Sequence, residues 1–124
     1  MDLSPLFRSV TETENHPAGT KVFAKDDAAD HMYVVKEGVL ELLINDVVIE
    51  SVQSGGVFGE MALIDKGVRS ATARVKEDCV LVTVDERQFA FLCQQTPYFA
   101  LQMMRLLVSR IRKMDSYVKS ENVS

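Results

Sequence analysis

Between Phe7 and Val84 the apolar residues fall in short runs separated by turn-forming residues. Lys21–Ala24, His31–Lys36, Val39–Ile44, Val47–Val52, Ala71–Lys76 and Val80–Val84 read as β strands. Glu37-Gly38 predicts a turn between the second and third runs, and Asn45-Asp46 predicts a two-residue hairpin, weaker than Asn-Gly because Asp lacks glycine's freedom. Many short antiparallel strands at close spacing predict a sandwich or jelly roll, which covers its own edges. Then the period changes. Glu86–Gln94 has helical composition, and Thr96-Pro97 supplies a cap and a first-turn proline for a helix running from about Tyr98 to Val118. Leu101, Met104, Leu107, Val108, Ile111, Met114 and Val118 form an apolar stripe on it, with residues 119–124 as a frayed tail. Ser4-Pro5 predicts a short opening helix, with Ser as cap. The fold class expected is α+β, mainly β: an antiparallel β jelly roll (a double-stranded β-helix) with flanking helices.

A chain of 124 residues has room for a single core, so one domain is expected over 1–124. Within it the β-roll is assigned to 7–84 and the C-terminal helices to 85–118. The 47% hydrophobic and 26% charged residues are ordinary for a globular protein, and no apolar run approaches the ~20 residues of a membrane span. MDLSPLFRSVTE has neither a basic start nor an apolar stretch, so no signal peptide is expected and the protein is read as cytoplasmic. Cys79 and Cys93 lie inside apolar patterns and are expected to be reduced, hydrophobic residues.

The net charge of −4 is unevenly spread. Residues 1–97 carry 9 Lys and Arg against 16 Asp and Glu (−7), and residues 98–124 carry 5 against 2 (+3). A nucleic-acid reader needs a broad basic face, and this acidic body offers none.

Chemistry concentrates in SGGVFGEMALIDKGVRSATARV, residues 54–75. Gly55, Gly56 and Gly59 permit tight turns and close backbone approach. Glu60–Leu63 reads as one helical turn starting directly after Gly59, and a helix start presents unpaired N–H groups to an anion. Arg69 adds a permanent cation with a planar donor fork suited to phosphate oxygens. Glu60 would repel a phosphate, so it makes sense as an acceptor for sugar hydroxyls. An anion cradle holding one carboxylate describes a nucleotide monophosphate site.

FGEMAL, a short loop and then RSATA resemble the phosphate-binding cassette of cyclic nucleotide-binding domains, here residues 55–73. PAGTKVFAKDD, DHMYVVKEGVLELL, CVLVTVDERQF and the long C-terminal helix extend the resemblance from about Phe7 to Met114. The resemblance implies that Glu60 holds the ribose 2′-hydroxyl and Arg69 the cyclic phosphate, with Gly59, the amides of Met61 and Ala62, Ser70 and Ala71 completing the cradle. It implies a non-catalytic sensor whose C-terminal helix closes over the base, with Arg110 and Lys113, one turn apart, as candidate lid residues. Cyclic AMP is favoured over cyclic GMP, and Ser70 is compatible with cyclic GMP or with syn cyclic AMP. A homodimer or a partner protein on the C-terminal helix is the further expectation.

Three departures stand out. Val68 occupies a position where the family commonly has Pro, which leaves the loop before Arg69 less pre-set in φ and able to order on binding. Asp26 replaces a usual turn glycine, a small cost because Asp tolerates the left-handed conformation. Asp2–Val10 is short for the helical segment that usually precedes the barrel, and the chain stops about where a DNA-binding helix-turn-helix would start.

A metal cupin needs several imidazoles, whereas only His16 and His31 occur and position 33 is Tyr. His31 is expected at a surface or strand edge and His16 in a solvated loop. No nucleophile has a positioned base, and no carboxylate cluster invites a metal for phosphodiester hydrolysis. For Glu60 and Arg69 separately, a structural ion pair is the simpler reading; jointly with the ATARV strand, ligand binding is. The rival class is a ligand-free interaction module acting through the basic C-terminal helix.

Overall fold

A computed structural model describes residues 2–7, 10–64 and 67–122, and side chains of the last helix up to residue 116. The elements are α1 (Ser4–Phe7), β1 (Glu14–His16), β2 (Lys21–Phe23), β3 (Ala28–Ala29), β4 (His31–Ile44), β5 (Val47–Val52), β6 (Val57–Phe58), α2 (Met61–Ile64), β7 (Gly67–Val68), β8 (Thr72–Asp85), α3 (Glu86–Gln95) and α4 (Pro97–Asn122). Compact units divide at Glu86: the β unit spans Asp2–Glu86 and the helical unit begins at Arg87.

The β unit is a jelly roll built on two long antiparallel strands, β4 and β8. In the larger sheet β1 and β2 pair with β8, while β5 and β6 pair with β4; β3 and β7 form a separate two-stranded ladder. Leu40 faces Val75 and Leu42 faces Ala73 across the β4–β8 ladder, all four buried. Together with Val35, Leu81 and Phe58 they form the core, where cross-strand apolar pairs hold the register.

Glu37-Gly38 is not a chain reversal. Strand β4 runs through it, and the register against β8 shifts between Val35 and Leu40. An extra residue in one strand bends it, which lets a long strand follow a roll. Gly38 has φ 98°, and a Cβ there would run into the Asp78 carbonyl and stand 2.8 Å from the Cys79 Cα. Gly-containing turns and bulges look alike in a single sequence, because both need positive φ. The predicted runs Ala71–Lys76 and Val80–Val84 likewise join as one strand, β8.

At Asn45-Asp46 the hairpin forms as expected, with φ of 50° and 64°, the pair of left-handed residues of a type I′ turn. Asp26 also adopts φ 76°. His31 opens β4 half-buried, its ring edge-on to Tyr33 at 4.8 Å. His16 lies in β1 opposite Cys79 rather than in a solvated loop, and its Nε2 meets Glu14 Oε1 at 2.9 Å. Ladder bonds to the long strand β8 override the loop signal of the adjacent Pro17. At α1 it is Asp2 Oδ1, not the Ser4 side chain, that accepts the capping bond, from the Ser4 N–H at 2.9 Å.

In the helical unit, α4 begins at Pro97 as the Thr96-Pro97 signal requires, and it continues to Asn122 instead of fraying at 119. No Gly or Pro interrupts this stretch, so the i→i−4 bonds persist. The Phe89 and Phe99 rings meet edge-on at 5.4 Å. The apolar stripe is largely uncovered. Leu101, Met104, Val108 and Ile111 are exposed, whereas Phe99, Met103 and Arg110 are buried. Helix α4 carries apolar residues on two faces, and periodicity alone does not say which is covered. Val118 of that stripe lies outside the described side chains. Among the described residues no helix is long and apolar enough to cross a membrane.

Candidate functional site

Gly59, at φ 75°, turns the chain from β6 into α2. The helix starts at Met61, one residue later than the sequence predicts, and the Leu63 N–H donates to the Glu60 carbonyl at 3.1 Å. Glu60 is buried to 2% exposure, an unusual place for a carboxylate, and Ala62 is buried beside it in sequence. Met61 and Ser70 are half-buried, and the Ser70 hydroxyl donates to Met61 Sδ at 3.6 Å. Ala71 is buried immediately before β8.

Arg69 is the centre of this arrangement. It is only 4% exposed. Its main chain is clamped to the turn after β2: the Arg69 N–H donates to the Asp27 carbonyl, and the Asp26 N–H donates to the Arg69 carbonyl, each at 2.8 Å. That turn is itself fastened, since the Ala24 N–H donates to Asp27 Oδ2 at 2.9 Å and the Lys25 N–H to Thr72 Oγ1 at 3.0 Å. Val68, just before Arg69, is not left loose either; it pairs with Ala28 in the β3–β7 ladder while its side chain remains exposed.

The Arg69 side chain donates from Nη1 to the Gly59 carbonyl at 3.0 Å, and its guanidinium carbon lies 4.1 Å from the centroid of the Phe23 ring. Nε is buried and has no hydrogen-bond partner. Burial lowers the basicity of the guanidinium, opposed by the fields of Tyr33, Asp30, Asp27 and Glu60 in that order. A buried donor on a cation costs about 1–3 kcal/mol when unmatched. Such a group is chemically suited to an oxyanion arriving from outside the fold.

The Glu60 carboxylate is one of the groups whose field favours the charged guanidinium. The predicted residues Gly59, Glu60, Met61, Ala62, Arg69, Ser70 and Ala71 all lie in the β unit, around one turn. Arg110 and Lys113 lie on α4 in the helical unit, the first buried and the second exposed, so the two do not share one environment. Among the described residues no three His, Cys, Asp or Glu side chains gather as a metal requires.

A family model of the cyclic nucleotide-binding domain matches residues 13–96. The chain belongs to the cyclic nucleotide-binding domain family. This cyclic nucleotide-binding domain is 30% identical over 128 aligned residues to the cyclic AMP receptor protein of Thermus thermophilus, covering 90% of this chain and 59% of that protein. It is 33% identical over 72 residues to the cAMP-dependent protein kinase regulatory subunit of Yarrowia lipolytica, covering 58% of this chain and 19% of that subunit. The crystal structure of Thermus thermophilus catabolite activator protein superposes with a TM-score of 0.75 at 25% identity, over 95% of this chain and 63% of that one. The domain thus spans less than two thirds of the length of each of these relatives.

Sequence reasoning did not join Phe23, Asp26 and Asp27 to Arg69. Phe23 sat in a predicted strand, but nothing in one sequence joins that strand to the cassette.

Proposed function

We propose that residues 1–124 act as one cyclic nucleotide-binding sensor domain, with the cassette at 55–73 as the ligand site. Arg69 takes the cyclic phosphate, Glu60 takes the ribose 2′-hydroxyl, and Gly59, the Met61 and Ala62 amides, Ser70 and Ala71 complete the cradle. The observation that carries this reading is the buried Arg69 whose Nε–H has no partner. An exposed ion pair would be a cheap surface feature; a desolvated guanidinium with a spare donor is not.

Cyclic AMP is the favoured ligand, supported by the names of the two relatives, a cyclic AMP receptor protein and a cAMP-dependent kinase regulatory subunit. Ser70 keeps cyclic GMP as the competitor. Binding is read as a regulatory signal without catalysis, in the cytoplasm, relayed when helix α4 closes over the base with Arg110 and Lys113 as lid residues. The exposed Leu101, Met104, Val108 and Ile111 repeat at three- and four-residue steps, which favours a second copy or a partner protein along α4. The same stripe is what a ligand-free interaction module would use.

Isothermal titration with cyclic AMP and cyclic GMP, on wild type and Arg69→Ala, separates the two readings. Arg69→Ala is expected to weaken binding roughly 30- to 1000-fold, about 2–4 kcal/mol for a charge-assisted, two-point contact. Absence of binding by wild type below millimolar nucleotide would leave the interaction module as the better reading.

A further inference from the structure

We infer that Phe23 is the positioning residue of the phosphate site, holding the Arg69 guanidinium by its face so that Nε–H is left for the ligand. The inference rests on the reading that Arg69 binds the cyclic phosphate. Three contacts meet at this point. The guanidinium carbon lies 4.1 Å from the Phe23 centroid and 5.8 Å from that of Tyr33, Nη1 donates to the Gly59 carbonyl at 3.0 Å, and Nε has no partner. A guanidinium carbon this close to a ring centroid suits stacking on the π face, which engages the cation perpendicular to its own plane, whereas its N–H groups donate within that plane. Ring and phosphate therefore do not compete for the same atoms.

Phe23 is itself held rigidly. It is buried at the end of β2, tilted against Phe58 at 5.8 Å and Tyr33 at 6.1 Å, and Tyr33 stacks on Phe58 at 4.9 Å with 10° between their planes. The backbone on both sides of the contact is also joined. Asp26 and Asp27, just beyond Phe23, exchange the two main-chain hydrogen bonds with Arg69. A long flexible side chain carries substantial rotamer entropy, and an aromatic floor that fixes it before the ligand arrives removes that cost from binding. Phe23 thus acts through Arg69 and touches no ligand atom in this scheme.

Titration calorimetry on the whole chain tests this with cyclic AMP and its 2′-deoxy analogue. Phe23→Leu, which keeps an apolar side chain and removes the ring, is expected to weaken cyclic AMP roughly 3- to 30-fold. The ratio between cyclic AMP and the 2′-deoxy analogue should stay as in wild type, because the sugar contact is untouched. A mono-, di- and trifluorinated phenylalanine series at position 23 keeps ring shape while draining the π face of charge. Affinity should fall stepwise along that series, a response that a purely space-filling role does not produce. Wild-type affinity in Phe23→Leu, or a flat fluorination series in a chain that binds normally, overturns the role of Phe23 alone. Wild type that binds neither cyclic nucleotide overturns both this inference and the binding reading beneath it.

Discussion

The Gly59 carbonyl accepts a 3.0 Å hydrogen bond from Arg69 Nη1, and a Cβ placed on Gly59 would stand 2.6 Å from that same nitrogen. One residue therefore both anchors the guanidinium and makes room for it. Gly59→Ala is expected to push Arg69 off its anchor and to strain a backbone at φ 75°. The strain alone should cost about 1 kcal/mol of stability. Gly19→Ala is the control, since it shares a positive φ of 90° but has open space around the new methyl. Calorimetric titration and thermal melts should show both variants destabilised, and only Gly59→Ala losing nucleotide affinity by tenfold or more, the order expected for one charge-assisted bond.

Burial opposes the charge of Arg69 and its Nε–H is unmatched, so the side chain is expected to cost stability in the free protein. Arg69→Met keeps the side-chain length without the charge. It should raise the melting temperature of the ligand-free chain by about 4 °C, corresponding to about 1 kcal/mol. Added cyclic nucleotide should stabilise wild type further and leave Arg69→Met unmoved. A lower melting temperature in the variant would mean that the cation is structural.

Glu60 gives a sharper chemical test because its proposed partner is one hydroxyl. Glu60→Ala should weaken cyclic AMP roughly 10- to 150-fold, the range for a hydrogen bond to a charged group. It should scarcely change affinity for 2′-deoxy cyclic AMP. Equal losses for both ligands would show that the buried carboxylate supports the fold instead.

Asp30 is set by its neighbours rather than by burial. A side-chain hydrogen bond with His31 Nδ1 at 2.7 Å, then the His31 charge, hold its carboxyl below the usual carboxylate range, with a smaller contribution from Arg69. A carboxyl depressed in the folded state stabilises above its unfolded value, and that contribution is lost as pH falls through the folded value. The window therefore lies below about pH 4. Carboxyl carbon NMR should find Asp30 titrating low in wild type and returning toward its ordinary value in His31→Ala. An ordinary value in wild type would sink this coupling.

Much of the architecture was legible because local chemistry and global fold agree. Asn45-Asp46 predicts a reversal and forms one, with both residues in the left-handed region. Thr96-Pro97 predicts a helix start, and α4 begins there. Glu37-Gly38 misled because a bulge and a turn both call on glycine's positive φ, and only the continued pairing of β4 with β8 separates them. The α4 stripe left a core role and a partner role open for a different reason. Two apolar faces satisfy the same period, and burial belongs to whatever lies against the helix.

From its residue types and spacings alone, the chain determined a β-roll followed by helices, and a short cassette in which Gly59, Glu60 and Arg69 must lie near one another. Those features follow from φ preferences, side-chain period and loop length, all of which act over a few residues. Tertiary structure alone decided that Arg69 is buried on the Phe23 face, clamped through Asp26 and Asp27, and left with one unmatched donor. Those contacts join the turn after β2 to the start of β8, and such pairing depends on how the whole sheet rolls up. Desolvation is likewise a property of the assembled fold, and it is desolvation that sets Arg69 apart from an ordinary surface cation.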